Sequence, residues 1–152
     1  MSTLDNNIVA GQGLRPQLAC EAVGMSDLLP VLLVVDSANV VGSVPDGWWR
    51  DRLGAAIRLR DRIAAYAAAG ERTLFTGAPE IVLVVEGAAR GVGPVPGVRV
   101  ERAVGSGDDK IVEVVAARAQ GRPCVVVTAD RELRARVTAL GAEVAGPSLL
   151  RP

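Results

Sequence analysis

Three short runs constrain the fold of this chain more than any other feature. Residues 31–35 read VLLVV, residues 81–85 read IVLVV, and residues 124–128 read CVVVT. A strand with one wet face alternates apolar and polar residues. A continuous β-branched run instead marks a strand buried on both faces, as in parallel sheets covered by helices. The segments between supply those helices. Residues 48–69 carry Leu53, Ala56, Ile57, Ile63, Ala64 and Ala67 at helical spacing, with arginines between them, and Gly70 marks the end. Residues 108–119 place Ile111, Val112, Val115 and Ala119 on one face, and Gly121 and Pro123 stop that helix. Residues 130–140 turn Leu133, Val137 and Leu140 inward, with Gly141 as cap. Shorter strands fit residues 98–101 and the surroundings of Val144. Residues 87–97 hold four glycines and two prolines and read as a loop.

The order is strand, helix, strand, strand, helix, strand, helix, strand. It predicts a three-layer α/β/α domain with a mostly parallel central sheet and the first strand near its middle. Residues 25–152 form this single domain. Residues 1–24 show no sustained period and read as a disordered N-terminal extension, with Met25 a plausible start.

The chain has 17 basic and 17 acidic residues and no histidine. Ser-His-Asp and Cys-His catalysis are therefore excluded, as is any zinc site that needs histidine. Cys20 and Cys124 lie far apart and suggest no disulfide framework, which fits a reducing, cytoplasmic setting. No apolar stretch reaches the ~20 residues that span a bilayer, and no signal peptide is visible. Zero net charge argues against strong nonspecific adhesion to nucleic acid but leaves room for a local basic face.

In an open parallel sheet, ligands bind outside the carboxyl ends of the strands. The first strand ends in Asp36, within DSAN. The second runs into Glu86. The fourth ends in Thr128, Ala129 and Asp130. The helix before it opens with Asp108 and Asp109. Several elements thus deliver acids to one edge. Such clustering is costly without a cation, and oxygen-only ligands select Mg²⁺ or Mn²⁺ over zinc. Carboxylates with such an ion support phosphodiester hydrolysis. Each acid also has a structural reading: Asp36 ends a strand where turn caps occur, and Asp108, Asp109 and Asp130 stand where helix caps are expected. Glu86 borders a glycine-rich loop, for which simple exposure is the structural reading, and its functional role rests on geometry alone. Asn39 could steady Asp36 or shape a turn. No Walker motif and no GxGxxG after a strand is present. The second aspartate of a haloacid-dehalogenase phosphatase is missing. So is the lysine placement of a receiver domain.

These pieces resemble PIN-like nucleases. VLLVVDSAN is similar to that family's opening strand. SGDDKIVEVV resembles its central helix start, and VVVTADRELRARVTALGAEV resembles its closing strand, aspartate and helix. The ensemble is most similar to the NYN branch and its YacP-like members, over residues 31–150. The resemblance implies a PIN-like fold and a Mg²⁺- or Mn²⁺-dependent ribonuclease. It carries family roles to Asp36, to Asp108 or Asp109, and to Asp130, with Asn39 in support. The spacing to Ile111 favours Asp108 over Asp109.

GSVPDGWWRDR departs from the short loop expected there. Trp48 and Trp49 beside Arg50 and Arg52 could stack and clamp single-stranded RNA, or plug the start of the helix. Residues 50–62 hold five arginines against two aspartates, and residues 131–136, beginning at Arg131, hold three against one glutamate. A basic rim for a phosphate backbone and a pair of solvated helix faces fit these counts equally well. Three functions follow in order: a metal-dependent endoribonuclease, a catalytically degenerate module binding RNA or a ribosome-associated partner, and a small-molecule phosphohydrolase.

Overall fold

The computed structural model describes residues 29–69 and 78–150. The expected N-terminal extension, the Met25 start, Cys20 and the stop at Gly70 lie outside these residues. The five strands are β1 (Leu32–Asp36), β2 (Glu80–Val85), β3 (Val98–Arg102), β4 (Cys124–Val127) and β5 (Glu143–Ala145). They form one sheet in the order β3-β2-β1-β4-β5, and all four pairings are parallel. β1 is the central strand.

Alternation along β1 explains the three layers. Leu33 and Val35 point into one apolar cluster, with Ala56, Leu59 and Ile63 of α2 (Arg52–Ala69). Leu32 and Val34 point into a second cluster, with Ile111 and Val115 of α3 (Gly107–Ala117) and with Leu133 and Val137 of α4 (Arg131–Thr138). Both faces are dry, so no polar residue interrupts the run until Asp36.

A further helix, α1 (Ser37–Gly42), follows β1 without a loop. The sequence reading had no element there. Six residues give too few turns for a periodic pattern, and Val40 and Val41 are poor helix formers in isolation. The helix expected over 48–69 divides. Trp48–Arg50 form a 3₁₀ turn, and α2 begins at Arg52 because Asp51 accepts the Gly54 amide at 2.9 Å. An added Cβ on Gly54 would collide with that carboxylate. Residues 87–91, expected as loop, form a 3₁₀ turn. Leu53 and Leu140, expected inward, are 39% and 40% exposed. Leu53, in the first turn of α2, lies against Gly91 rather than in the core, and Leu140 lies beyond the end of α4. Ala119 is likewise exposed beyond the end of α3. Gly141, with φ +89°, closes α4 through the amides of Gly141 and Ala142, which donate to Thr138 and Val137. No described helix is long and apolar enough to cross a membrane.

Candidate functional site

The strand order reverses at β1. β2 and β3 extend the sheet to one side, β4 and β5 to the other. α1 leaves β1 over one face, and α4 leaves β4 over the opposite face. The two connections diverge and open a crevice at the carboxyl ends of β1 and β4, where open α/β sheets bind ligands.

Asp36 stands at that point, only 5% exposed. Its Oδ2 accepts from the Thr128 hydroxyl at 2.9 Å, and its Oδ1 accepts from the Asn39 amide at 3.4 Å, which makes it the N-cap of α1. The Asn39 side-chain oxygen accepts the Ala129 amide at 2.8 Å. The Asp130 amide donates to Thr128 Oγ1 at 3.1 Å, and the Asp130 carboxylate caps α4 by accepting from the Leu133 amide at 2.8 Å. Asn39 and Thr128 thus tie the end of β1 to the end of β4.

The charges of Asp108 and Glu86 act on Asp36, and those of Asp130, Glu86 and Asp109 act on Asp108. Burial pushes the Asp36 carboxyl up from its ordinary 3.8 to about 6. The Thr128 and Asn39 hydrogen bonds pull it down, while the charges of Asp108 and Glu86 push it further up. Asp108 is also raised, first by burial, then by the charges of Asp130, Glu86 and, least, Asp109; Arg136 opposes the shift. Asp109 points outward, with its side chain 74% exposed, and pairs with Arg136 at 3.1 Å. Helical spacing accounts for the split. Asp108 lies three and seven residues before the buried Ile111 and Val115, so it shares their face, and Asp109 does not. The cap expected from this acid pair belongs to Ser106, whose hydroxyl accepts the Asp109 amide at 3.2 Å.

Glu86 accepts the Gly107 amide at the start of α3. A Cβ on Gly107 would sit 3.1 Å from Glu86 Oε1, so glycine lets the carboxylate approach the helix end. The sequence places Gly107 at this helix start but does not show its contact with Glu86, nor that Arg134 donates to the Thr128 carbonyl at 2.9 Å. The Ser106–Asp109 spacing was a readable signal for that helix start. No sequence signal points from Arg134 to Thr128.

Arg131 is exposed at the first residue of α4. Trp48 and Trp49 meet edge to face at 5.9 Å. The Arg52 guanidinium lies 5.2 Å from the Trp48 ring centre, and that of Arg50 lies 5.7 Å from Trp49. Trp49 is 51% exposed, so the pair is not a closed hydrophobic plug.

Among the described residues, no three His, Cys, Asp or Glu side chains converge closely enough to hold a metal ion. The donor chemistry nonetheless fits a hard cation. The candidate donors are carboxylate oxygens, and two of these carboxyls carry a proton-favouring shift that a cation would relieve.

A crystal structure of Rae1 (YacP) from Bacillus subtilis, as its W164L mutant, matches this chain with a TM-score of 0.57. Identity is 17%, and the match covers 79% of this chain and 72% of that one. The fold is PIN-like. At that identity the likeness speaks for architecture: a parallel sheet flanked by helices in the same arrangement. No family model matches the chain, and no curated protein does.

Proposed function

We propose that this protein is a Mg²⁺- or Mn²⁺-dependent endoribonuclease acting on single-stranded RNA in the cytoplasm. One observation carries the reading. At the switch point of a PIN-like sheet, Asp36 is buried beside the charges of Asp108 and Glu86, Asp108 in turn feels the charge of Asp130, and none of the three aspartates makes an ion pair with a described residue. A bound ion would neutralise these carboxylates and supply Lewis-acid chemistry toward a phosphodiester.

The chain's own residues have distinct parts in this scheme. Asp36, Asp108 and Asp130 hold the ion. Thr128 and Asn39 fix the Asp36 carboxylate from two sides. Glu86 adds negative charge at the rim while steadying the start of α3. Asp109, turned toward Arg136, is assigned no place among the ligands. Arg131, Arg50 and Arg52 offer the cationic surface that an RNA backbone needs, and the two tryptophans offer stacking faces.

A specific observation favours a second reading. The described acids do not converge tightly enough for a metal as they stand. A module of this fold that binds RNA or a ribosome-associated partner without cutting would need no such convergence.

One experiment separates the two readings. End-labelled single-stranded RNA of mixed sequence is incubated with protein in EDTA, in Mg²⁺ and in Mn²⁺. The enzyme reading expects cleavage with either ion, none in EDTA, and none with Asp36→Asn. RNA that is retained by the protein and uncut under all conditions overturns it in favour of the binding module.

A further inference from the structure

A cleft of about 270 Å³ opens beside the acidic edge, between α1, the start of α2 and the 3₁₀ turn after β2. One wall is the Trp48 ring, with Val41 and Ala56 below it. Residues 87–90 also line it, and Ser37 and Glu86 supply polar groups. The volume is at the small end for ligand clefts, which begin at ~300 Å³. It suits one planar ring system rather than a stacked pair.

Two further observations give the cleft its chemistry. Ser37, only 2% exposed, lines the cleft and brings a hydroxyl to its wall. Arg52 stands at the mouth over Trp48 and makes no ion pair with a described residue. An aromatic wall, a buried hydroxyl, a carboxylate and an unpaired guanidinium at the entrance match a nucleobase attached to a phosphate.

We propose that this cleft binds a single unstacked ribonucleobase, with Trp48 as its wall and Ser37 and Glu86 as its polar contacts. The inference rests on the nuclease reading for its purpose, because Glu86, which lines the cleft, also acts electrostatically on Asp36 and Asp108. Glu86 only accepts hydrogen bonds, so it prefers bases that present an amino group. Uracil turns two carbonyls around its single imino donor and binds most weakly.

The test uses ribonucleosides, which carry a base and no phosphate and therefore do not depend on the metal. Trp49→Phe leaves Trp48 as the only tryptophan in the chain. Its fluorescence is titrated with adenosine, guanosine, cytidine and uridine, and with ribose 5-phosphate as a base-free control. Saturable quenching by nucleosides is expected, weakest for uridine, with no response to ribose 5-phosphate. Ala88→Phe, which fills the cleft from its exposed wall, is expected to weaken nucleoside binding by about tenfold or more. Circular dichroism checks that this variant is folded. A second arm compares a labelled RNA pentamer with the same pentamer made abasic at one position. The abasic strand is expected to bind at least several-fold more weakly.

Nucleoside binding unchanged in folded Ala88→Phe, or no quenching by any nucleoside, overturns the proposal. Equal binding of all four nucleosides overturns the role of Glu86. Mn²⁺ binding, followed by calorimetry on the same proteins, reports separately on the acidic site. Metal binding without nucleoside binding sinks the cleft alone. Nucleoside binding without metal binding sinks the nuclease reading alone.

Discussion

The two ends of this sheet carry acids in opposite ways. At the amino end, Glu80 meets Arg99 at 2.6 Å and Arg122 at 2.7 Å. That carboxylate is held between two cations. At the carboxyl end, Asp36 lies beside the charges of Asp108 and Glu86, Asp108 feels Asp130 as well, and the hydrogen bonds to Asp36, Glu86 and Asp130 come from amides and one hydroxyl. The first arrangement holds the fold together. The second works against it, and a protein keeps such a liability where a ligand compensates for it. The direction of charge pairing, more than the number of acids, separates a structural edge from a functional one.

The contrast predicts a series of effects of decreasing size. Asp36→Asn is expected to lower Mn²⁺-dependent RNA cleavage by about 10²-fold or more, the scale for losing an essential charged group. Glu80→Gln is expected to leave cleavage near its wild-type rate. Comparable losses in both variants would erase the distinction between the ends.

The next effect is on stability and has the opposite sign. The Asp36 carboxyl is held near 6 in the fold against an ordinary 3.8. A raised carboxylate contributes stability that is fully present below pH 3.8 and lost as pH rises through 6. At pH 7 the charged, buried group therefore costs up to about 3 kcal/mol. Urea unfolding at pH 7 is expected to find Asp36→Asn more stable than wild type by about 1–3 kcal/mol, with the weakened Thr128 bond offsetting part of the gain. Near pH 4 the difference should shrink toward zero. An Asp36→Asn protein less stable than wild type at pH 7 would mean that the carboxylate is anchored rather than repelled.

Glu80→Gln sharpens the other half. Its ion pairs are partly exposed, so a loss of about 1 kcal/mol is expected, smaller at high salt. Asp109→Asn, at the exposed pair with Arg136, should change stability by less than about 0.5 kcal/mol and leave Mn²⁺ affinity nearly unchanged. A large loss of affinity in Asp109→Asn would move the metal site outward along α3.

Much of this arrangement was legible in the residues, for reasons that also mark where legibility stops. The doubly buried strands could be read because both faces of β1 are dry, which leaves an uninterrupted apolar run. Asp36 could be read because it ends that run. Asp108 could be told from Asp109 by helical spacing to Ile111. The helix α1 could not be read, since six residues directly after a strand show no period. The break at Asp51 was also hidden, because a capping carboxylate within an arginine-rich stretch looks like one more surface charge. The bond from Thr128 to Asp36 joins residues 92 positions apart and depends on β4 lying beside β1. The buried Ser37 hydroxyl gives no sequence signal at all.

That link between Thr128 and Asp36 has a directional character. A hydroxyl has one proton to give. Thr128 gives it to Asp36 and receives the Asp130 amide proton in return. The charge on Asp36 is therefore transmitted through one oxygen to the backbone at the start of α4. When Asp36 takes up a proton, its demand on the hydroxyl falls, and the Asp130 amide meets a differently polarised acceptor. The amide resonance of Asp130 should titrate with a midpoint near Asp36's own, about 6. It should shift again when a cation displaces that proton. The molecule thus carries a spectroscopic indicator of the state of its most buried acid, readable without substrate or turnover.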